Sequence, residues 1–360
     1  MEKRKLTEIC NPKQWKTIPT SELVEVGYPV YGANGIIGFY NEYNHEEKTI
    51  AITCRGATCG TVNLTCPKAY ITGNAMCLDN VNNTVILEYL FYAMKAYDFS
   101  KVISGSAQPQ ITRQGIEKVE VVVYPKEKQQ QIVCELQKVE SLITARQEQL
   151  LLLDQLVKSR FIELFGECEE RKRLEEYASL ITKGASPKWQ GVDYCEEGTL
   201  FVTSENVREG YLDLSKRKYL DDKINEIQPR SILKRNDILI NIVGASIGRA
   251  AVYDCDEVAN INQAVALVRV DYSQINQTYL MAFLNSPQAI EMYGKMKKGG
   301  ARDNLSLQNI ADLQIPVAPM ELQNQFATFV KQTDKSKLAV QKGLRQLEIL
   351  KKSLMQQYFG

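Results

Sequence analysis

Two polar, glycine-containing loops carry the side chains of this sequence that are best suited to reading a nucleic acid. The loops are SGSAQPQITR (104–113) and KMKKGGARDNLS (295–306), and each precedes a strand-like run. Glutamine and asparagine amides can pair with adenine, while arginine and lysine can pair with guanine or phosphate. The candidate DNA contacts in these loops are Gln108, Gln110, Arg113, Lys297, Lys298, Arg302 and Asn304. A similar loop, TKGASPKWQ (182–190), adds Lys183, Lys188 and Trp189.

Charge alone does not favour this interpretation. The formal net charge is +1, so binding to a polyanion has to come from local patches and not from the field of the whole chain. Each of these residues, judged singly, is typical of a solvated surface loop. Their occurrence as a set in both halves of the chain is what favours DNA contact.

Motifs for catalysis are scarce. Asn11-Pro12 is followed by Lys13, so the Asx-Pro-Pro-Tyr motif of an amino-methylating enzyme is missing. Gly-Ala-(Ser/Thr)-x-Gly occurs twice, but without the Gly-Lys-(Ser/Thr) of a phosphate-binding loop or the acidic residue of a dinucleotide fold. Neither a nuclease nor a helicase motif stands out. We therefore expect a binding protein that is not an enzyme and has no cofactor of its own.

The cysteines and the single histidine do not form a recognisable metal motif. The chain has nine cysteines at irregular spacing, which fits a reducing cytoplasm, and it has no Cys-x-x-Cys pair. Cys54, Cys59, Cys66 and Cys77 of the first block are expected to be buried thiols on strands. His45 lies in the polar stretch NEYNHEEK and is expected to be an ordinary surface residue. No apolar run approaches the roughly 18 residues of a membrane span.

The chain repeats itself at a fixed offset of 194 residues. Residues 124–166 return as residues 318–360, with 13 of 43 pairs identical, including Gln129 with Gln323, and with the same Phe-Gly ending. In the first copy, Leu136, Ile143, Leu150, Val157 and Leu164 lie seven apart, which indicates one long helix with a stripe for one partner. About 36 helical residues would span roughly 54 Å. Thr333, Lys337 and Lys351 interrupt the matching stripe of the second copy.

Two blocks of different sequence but matching landmarks precede these helices. Each block contains a Gly-Ala-(Ser/Thr)-x-Gly segment, beginning at Gly56 and Gly244, and each has an asparagine fourteen residues past its last glycine. We interpret these glycines as tight turns. The fold class predicted is α+β: two mixed α/β domains (1–124 and 167–317), separated by two long antiparallel coiled-coil-like helices (125–166 and 318–360) in a pseudo-two-fold arrangement.

This order of segments resembles the specificity subunit of Type I restriction–modification systems. The phrases that carry the resemblance are YPVYGANGIIGFY and CRGATCG in the first block, FVTSENV, DILINIVGASIGRAAV and NQAVAL in the second, and IPVAPMELQNQF at the second helix. Together they cover essentially the whole chain. The first block is the shorter, and the two diverge widely, which fits two domains that read different sequences.

The resemblance implies a non-catalytic DNA-recognition subunit. Each target recognition domain would read one half of a bipartite site in double-stranded DNA, and the helix pair would set the spacer and dock two methyltransferase subunits. Those subunits would bring S-adenosylmethionine, and a nuclease–translocase subunit could join them. Two alternatives stay open: the recognition part of a combined nuclease–methyltransferase system, and a coiled-coil adaptor without DNA binding.

Overall fold

The chain is described by a computed structural model in residues 2–33, 35–105, 108–296 and 303–360. It divides into two compact units, and each dividing point falls inside a long helix. Unit 1 comprises Met1–Glu148 with Gln341–Gly360, and unit 2 comprises Gln149–Val340. Among the helices of the described part, none combines the length and the hydropathy that a bilayer crossing requires.

Unit 1 packs short strands against a helix that follows them in sequence. Its strands are β1 (Glu2–Lys5), β2 (Asn11–Gln14), β3 (Tyr28–Gly32), β4 (Gly35–Tyr40), β5 (Ile50–Thr53), β6 (Val62–Leu64), β7 (Tyr70–Ile71), β8 (Ala75–Asp79), β9 (Ile103–Ser104), β10 (Gln110–Ile111) and β11 (Glu120–Val123). Its helices are α1 (Leu6–Ile9), α2 (Leu87–Ala96), α3 (Arg113–Ile116) and the first part of α4 (Lys126–Phe165).

These strands form four sheets, of which the smallest is the short pair β9-β10. An antiparallel sheet has the order β2-β8-β5-β6, a second has the order β4-β3-β7 with β3 and β7 parallel, and β1 pairs with β11. The central strand β5 is buried along its whole length, as the β-favouring run IAIT predicts. The pairing of β1 with β11 brings the two ends of the first block together.

Unit 2 contains a comparable set of short strands and helices. Its strands are β12 (Arg171–Arg173), β13 (Ala178–Lys183), β14 (Tyr194–Cys195), β15 (Thr199–Val202), β16 (Tyr219–Leu220), β17 (Ile238–Asn241), β18 (Ala250–Val252), β19 (Ala259–Ile261), β20 (Val265–Val270) and β21 (Gln314–Pro316). Its helices are α5 (Pro187–Gln190), α6 (Lys223–Ile227), α7 (Gln277–Leu284), α8 (Pro287–Met296), α9 (Leu307–Ala311) and the first part of α10 (Met320–Phe359), with the rest of α4. The end of α10 belongs to unit 1.

Two of the sheets of unit 2 match sheets of unit 1 strand by strand. The sheet β13-β20-β17-β18 corresponds to β2-β8-β5-β6, and the pair β12-β21 corresponds to β1-β11. The third sheet, β14-β16-β15-β19, again contains one parallel pair, β15 with β19. The α+β class and the duplication predicted from the sequence are thereby confirmed, and the duplication extends through blocks whose sequences have diverged.

The two long helices contain 40 residues each and pack in antiparallel fashion within each unit. In unit 1 the Tyr358 hydroxyl donates to Glu135 Oε2 at 2.6 Å, and Lys351 forms an ion pair with Glu140 at 2.6 Å. In unit 2, Lys337 forms an ion pair with Asp154 at 2.6 Å. Asp154 lies two heptads after Glu140 on α4, and Lys337 lies two heptads before Lys351 on α10. Both ion pairs therefore fit one antiparallel register.

The repeated Phe-Gly ending has a structural reason in each unit. Phe359 at the end of α10 lies 5.3 Å from the ring of Tyr89, and Phe165 at the end of α4 lies 4.6 Å from the ring of Tyr279. The two tyrosines occupy equivalent places on α2 and α7. The end of one long helix therefore packs against the block that precedes the other long helix.

The identical pair Gln129 and Gln323 has the same role in both units. Gln129 accepts a hydrogen bond from the backbone of Ile86 at 2.8 Å and donates to Tyr124 O at 2.7 Å. Gln323 accepts from the backbone of Asn276 at 2.8 Å and donates to Ala318 O at 2.7 Å. Both side chains are buried. Each glutamine thus ties the first turn of a long helix to the start of the helix that packs beside it.

Replacing either glutamine by leucine is expected to lower the free energy of unfolding by about 1–3 kcal/mol, because a buried backbone N–H loses its acceptor. The matched controls are Gln130→Leu and Gln325→Leu, two exposed positions on the same helices. Chemical denaturation of the variants measures the difference. A loss no larger at Gln129 and Gln323 than at the controls would contradict this role.

Candidate nucleic-acid interface

The Gly-Ala-Ser-x-Gly segment of unit 2 forms a tight turn between β17 and β18. Gly244 and Gly248 have φ angles of +79° and +87°, a region that residues with a Cβ rarely adopt. A Cβ on Gly248 would lie 2.4 Å from Cδ2 of Tyr293, whereas one on Gly244 would meet no atom within 4 Å. The tight turn predicted from the sequence is confirmed here, and there is open space beside Gly244.

The polar loop before α9 lies directly on this turn. The backbone N–H of Gly244 donates to Asp303 O at 3.1 Å, and the N–H of Leu305 donates to Ile242 O at 2.9 Å. Asn304 forms an isolated bridge with Val243, and its side chain is exposed. The turn and the loop are 60 residues apart in sequence, and these hydrogen bonds join them into one surface.

Two basic side chains lie at the same end of the sheet. Lys183 ends β13 opposite Ala266, and Ala266 also pairs with Ile240, a few residues before the turn. Arg249 follows the turn, and its carbonyl accepts from the N–H of Asn241 at 2.9 Å. Both basic side chains are exposed. This end of the sheet thus presents an amide and two cations around a glycine turn.

Unit 1 has the equivalent arrangement. Gly56 and Gly60 have φ angles of +85° and +92°, in the turn between β5 and β6. The N–H of Gly56 donates to Pro109 O at 3.1 Å, and Arg55 forms a bridge with Gln110. Both units therefore place a glycine turn beside the glycine-rich polar loop that the sequence singled out.

A β-hairpin also reaches the turn of unit 1. The hydroxyl groups of Thr53 and Thr58 donate to Ala33 O at 2.9 and 2.8 Å. Ala33 follows β3 in the segment YGANG, whose function was not predicted from its residues alone. The hairpin thereby becomes part of the surface around the glycine turn.

The structure gathers only some of the candidate contacts around the turns. Gln110 and Asn304 lie beside them, Lys183 ends a strand at the same edge, and Gln108 is exposed two residues before Gln110. Arg113 begins α3 and lies 3.6 Å from Glu117. The candidates outside the described residues are Lys297, Lys298 and Arg302.

Lys188 and Trp189 lie on a separate short helix. They belong to α5, which packs against α6. The side chain of Trp189 is 88% exposed, an unusual state for so large an aromatic ring. No described contact joins it to the glycine turn, so a role in base stacking would place it at the margin of this surface.

Arg55 and Arg249 are not among the candidate contacts predicted from the sequence. Both are exposed and flank the glycine turns, but Arg55 precedes its turn while Arg249 follows the other. The two blocks therefore carry their positive charge at different positions around the same backbone shape. The signal that could have found them was adjacency to the repeated glycine segment.

The surface of unit 2 is not uniformly positive. Asn241, at the end of β17, donates from its side-chain Nδ2 to Ser204 O at 3.0 Å. Glu205, which follows Ser204, forms an ion pair with Lys218 at 2.9 Å. The hydrogen bond from Lys218 lowers the pKa of Glu205, which keeps that carboxylate charged. Asp303 adds a second exposed acid beside the turn. Mixed polarity of this kind suits contacts with base edges as well as with phosphates.

The glycine turn is not a nucleotide-binding loop. The segment Gly244–Ser246 leads into strand β18, whereas a phosphate-binding loop leads into a helix whose N-terminus holds the phosphate. The equivalent turn of unit 1 leads into β6. The geometry supports the interpretation of these glycines as turns.

Comparison with known proteins identifies the family. The family model for the Type I restriction modification DNA specificity domain matches residues 1–152 and 171–349, which is most of the chain. The chain therefore belongs to the Type I restriction–modification specificity family. The specificity subunit of the Type I restriction enzyme MjaVIII from Methanocaldococcus jannaschii is 22% identical over 331 residues, covering 86% of this chain and 78% of that protein.

Other relatives are similar over a shorter stretch. The EcoBI specificity subunit from Escherichia coli is 29% identical over 140 residues, which is 39% of this chain and 29% of that protein.

Among solved structures, the Type I S subunit from M. genitalium matches with a TM-score of 0.59 at 16% identity, covering 100% of this chain and 96% of that one. A chain from a study of complex assembly in the type I R-M system matches with a TM-score of 0.66 at 17% identity, covering 99% and 97%. These structures confirm the fold.

Proposed function

We propose that this chain is the DNA-recognition subunit of a Type I restriction–modification complex and binds a bipartite target, one half-site per block. The observation that carries this proposal is the duplicated surface at the glycine turn. Both units bring a polar loop and an exposed arginine to the same end of equivalent sheets, but with different side chains. One scaffold with two sets of contacts is what reading two different half-sites requires.

The helix pair is proposed to set the distance between the half-sites. Each long helix has 40 residues and would span about 60 Å. Sites one turn of DNA apart present the same groove at about 34 Å, which a helix of this length can bridge. The cross-helix ion pairs Glu140–Lys351 and Asp154–Lys337 support this proposal, because each ties α4 to α10.

The outer face of the helices is proposed to dock two methyltransferase subunits in the cytoplasm, with a nuclease–translocase subunit as a further partner. In α4 the side chains of Leu151 and Leu152 are 64% and 56% exposed, and Leu156 and Ile162 are exposed as well. A leucine-rich exposed surface marks a binding site for another protein. Catalysis and S-adenosylmethionine would belong to those partners, and this chain would supply the sequence recognition.

The salt dependence of DNA binding tests the proposed surface. Replacing Lys183 and Arg249 together by alanine is expected to weaken binding and to reduce the slope of log K against log salt by up to about two, since each phosphate contact contributes roughly 0.9. A second variant, with Lys297, Lys298 and Arg302 replaced, is expected to reduce the slope by up to about three. Fluorescence anisotropy with a duplex that carries the target measures both.

The matched control is the double variant Lys172→Ala with Lys234→Ala. Both lysines are exposed. Lys172 lies on β12 with its Nζ atom 6.0 Å from the ring centre of Tyr177, which directly precedes β13, and Lys234 lies four residues before β17 begins. The control should keep the wild-type slope. If all variants have the wild-type slope, this surface does not contact DNA. If the assembled wild type shows no sequence-selective binding, the alternative of a coiled-coil adaptor without DNA binding is favoured.

A further inference from the structure

A histidine, a cysteine and an aspartate meet in unit 1 at the end of β8 opposite the glycine turn. The ligating atoms of His45, Cys77 and Asp79 all lie within 4.8 Å of one another. No sequence motif indicates this cluster, because His45 is 32 residues from Cys77. The structure also corrects the expectation of an ordinary surface histidine, since the His45 side chain is only 10% exposed.

The tautomer of His45 is fixed by Asn44. The Asn44 amide donates to Ile71 O at 3.0 Å and accepts from Ile71 N at 2.9 Å, so its Oδ1 atom is an acceptor. His45 Nδ1 lies 2.7 Å from that Oδ1 atom and must therefore carry a proton. A neutral imidazole then presents the lone pair of Nε2, which lies 2.9 Å from Asp79 Oδ1.

Two acceptors that face each other require a positive charge between them. A second proton on His45 would supply it, but so would a metal ion, and Cys77 Sγ offers that ion a third ligand. The partners of the outer shell are those of a metal site: Asn44 holds the distal nitrogen of the imidazole, and Trp15 Nε1 donates to the other carboxylate oxygen of Asp79 at 3.0 Å.

We propose that His45 Nε2, Cys77 Sγ and Asp79 Oδ1 bind a zinc ion. Imidazole, thiolate and carboxylate are the ligands that Zn²⁺ takes in proteins, and the two anionic ligands balance its charge. The Cys77 thiol releases its proton to solvent as the sulfur–zinc bond forms. A cavity of about 810 Å³ borders His45 and Asp79 and gives access to a water as the fourth ligand.

The zinc ion would tie the segment that carries His45 to strand β8. That segment is otherwise held by backbone hydrogen bonds between His45 and Ala69 and by the Asn44 amide. Asp79 pairs with Asn11, whereas Ala75 at the other end of β8 pairs with Thr53, close to the glycine turn. The ion is therefore a structural cross-link away from the proposed DNA surface, and this inference does not depend on the proposed function.

Cobalt substitution tests the site directly. Chelator-treated full-length protein titrated with Co²⁺ should bind one ion per chain and develop a thiolate-to-cobalt charge-transfer band in the near ultraviolet. Cys77→Ser should abolish the band, and His45→Gln should weaken metal binding by more than the roughly 10- to 100-fold that loss of an outer-shell partner costs. Zinc should raise the Tm of the wild type but not that of His45→Gln.

The matched control is Cys10→Ser, another buried cysteine that lies outside the cluster. It should keep the charge-transfer band and the cobalt affinity. Because Cys77 is fully buried, His45→Gln keeps the test valid if Cys77→Ser does not fold. No charge-transfer band in the wild type, or the same cobalt affinity in His45→Gln, would show that His45 and Asp79 form an ion pair only.

Discussion

Replacing residues 167–317 by the corresponding block of a family relative is expected to change one half of the methylated DNA motif completely and to leave the other half unchanged. The physical reason is that the block is closed on itself. Strand β12 at its start pairs with β21 at its end, with Arg171 opposite Pro316, so both junctions lie side by side. Sequencing of methylated adenines after treatment with the assembled complex measures the motif.

The donor block has to preserve the contact with the long helices. Phe161 and Phe165 of α4 and Phe326 of α10 form one cluster with Tyr279 of α7, so the graft should keep tyrosine at that position. The reciprocal exchange of residues 1–124 serves as the control and should change the other half. A change in both halves from a single exchange would mean that recognition is shared between the blocks.

Matched insertions of four residues in both long helices are expected to lengthen the spacer of the target by about two base pairs. One extra turn adds about 6 Å, and base pairs are stacked about 3.4 Å apart. The insertions belong after Glu148 in α4 and after Val340 in α10, where the boundary of the two units crosses each helix. Methylation mapping should show the same half-sites at the new spacing.

An insertion in α4 alone is the informative control for this experiment. It shifts the antiparallel register, so the ion pairs Glu140–Lys351 and Asp154–Lys337 cannot both form with the present helix pairing. We expect that variant to lose stability or assembly. Retention of the original spacing by the doubly extended protein would mean that the helices do not set the distance.

The long helices and the turns could be predicted from the sequence because their determinants are local. Two local signals indicate α4: its heptad spacing and the lack of proline or glycine between Pro125 and Gly166. The structure confirms this helix, which has 40 residues instead of the expected 36 or so. The paired glycines required positive φ angles, and they have them. Both signals depend only on neighbouring residues.

The partners of the interrupting residues could not be predicted, because they lie on the other helix. Lys337 and Lys351 interrupt the apolar stripe of α10, yet each forms an ion pair with an acidic residue of α4. Which acid meets which lysine depends on the antiparallel register, and a single helix does not define that register. The same holds for Gln129 and Gln323, whose identity was visible although their hydrogen-bond partners were not.

The composition of the candidate surfaces around the turns could be predicted only in part, for a related reason. Composition singled out the polar loops, and the backbone hydrogen bonds of Gly56 and Gly244 show that two of them lie on the turns. Arg55 flanks the glycine turn of unit 1 and Arg249 that of unit 2, and both lie in segments that the sequence marked only by their glycines. The cluster of His45 with Cys77 and Asp79 forms through tertiary packing and leaves no pattern in the sequence.

The most direct test of the central claim is to map methylated adenines in unmethylated DNA treated with this chain and its methyltransferase partner. The account predicts one bipartite motif, with two short specified half-sites separated by an unspecified spacer of fixed length, and no such methylation when this chain is omitted. A continuous motif, a variable spacer, or the same methylation without this chain would contradict it.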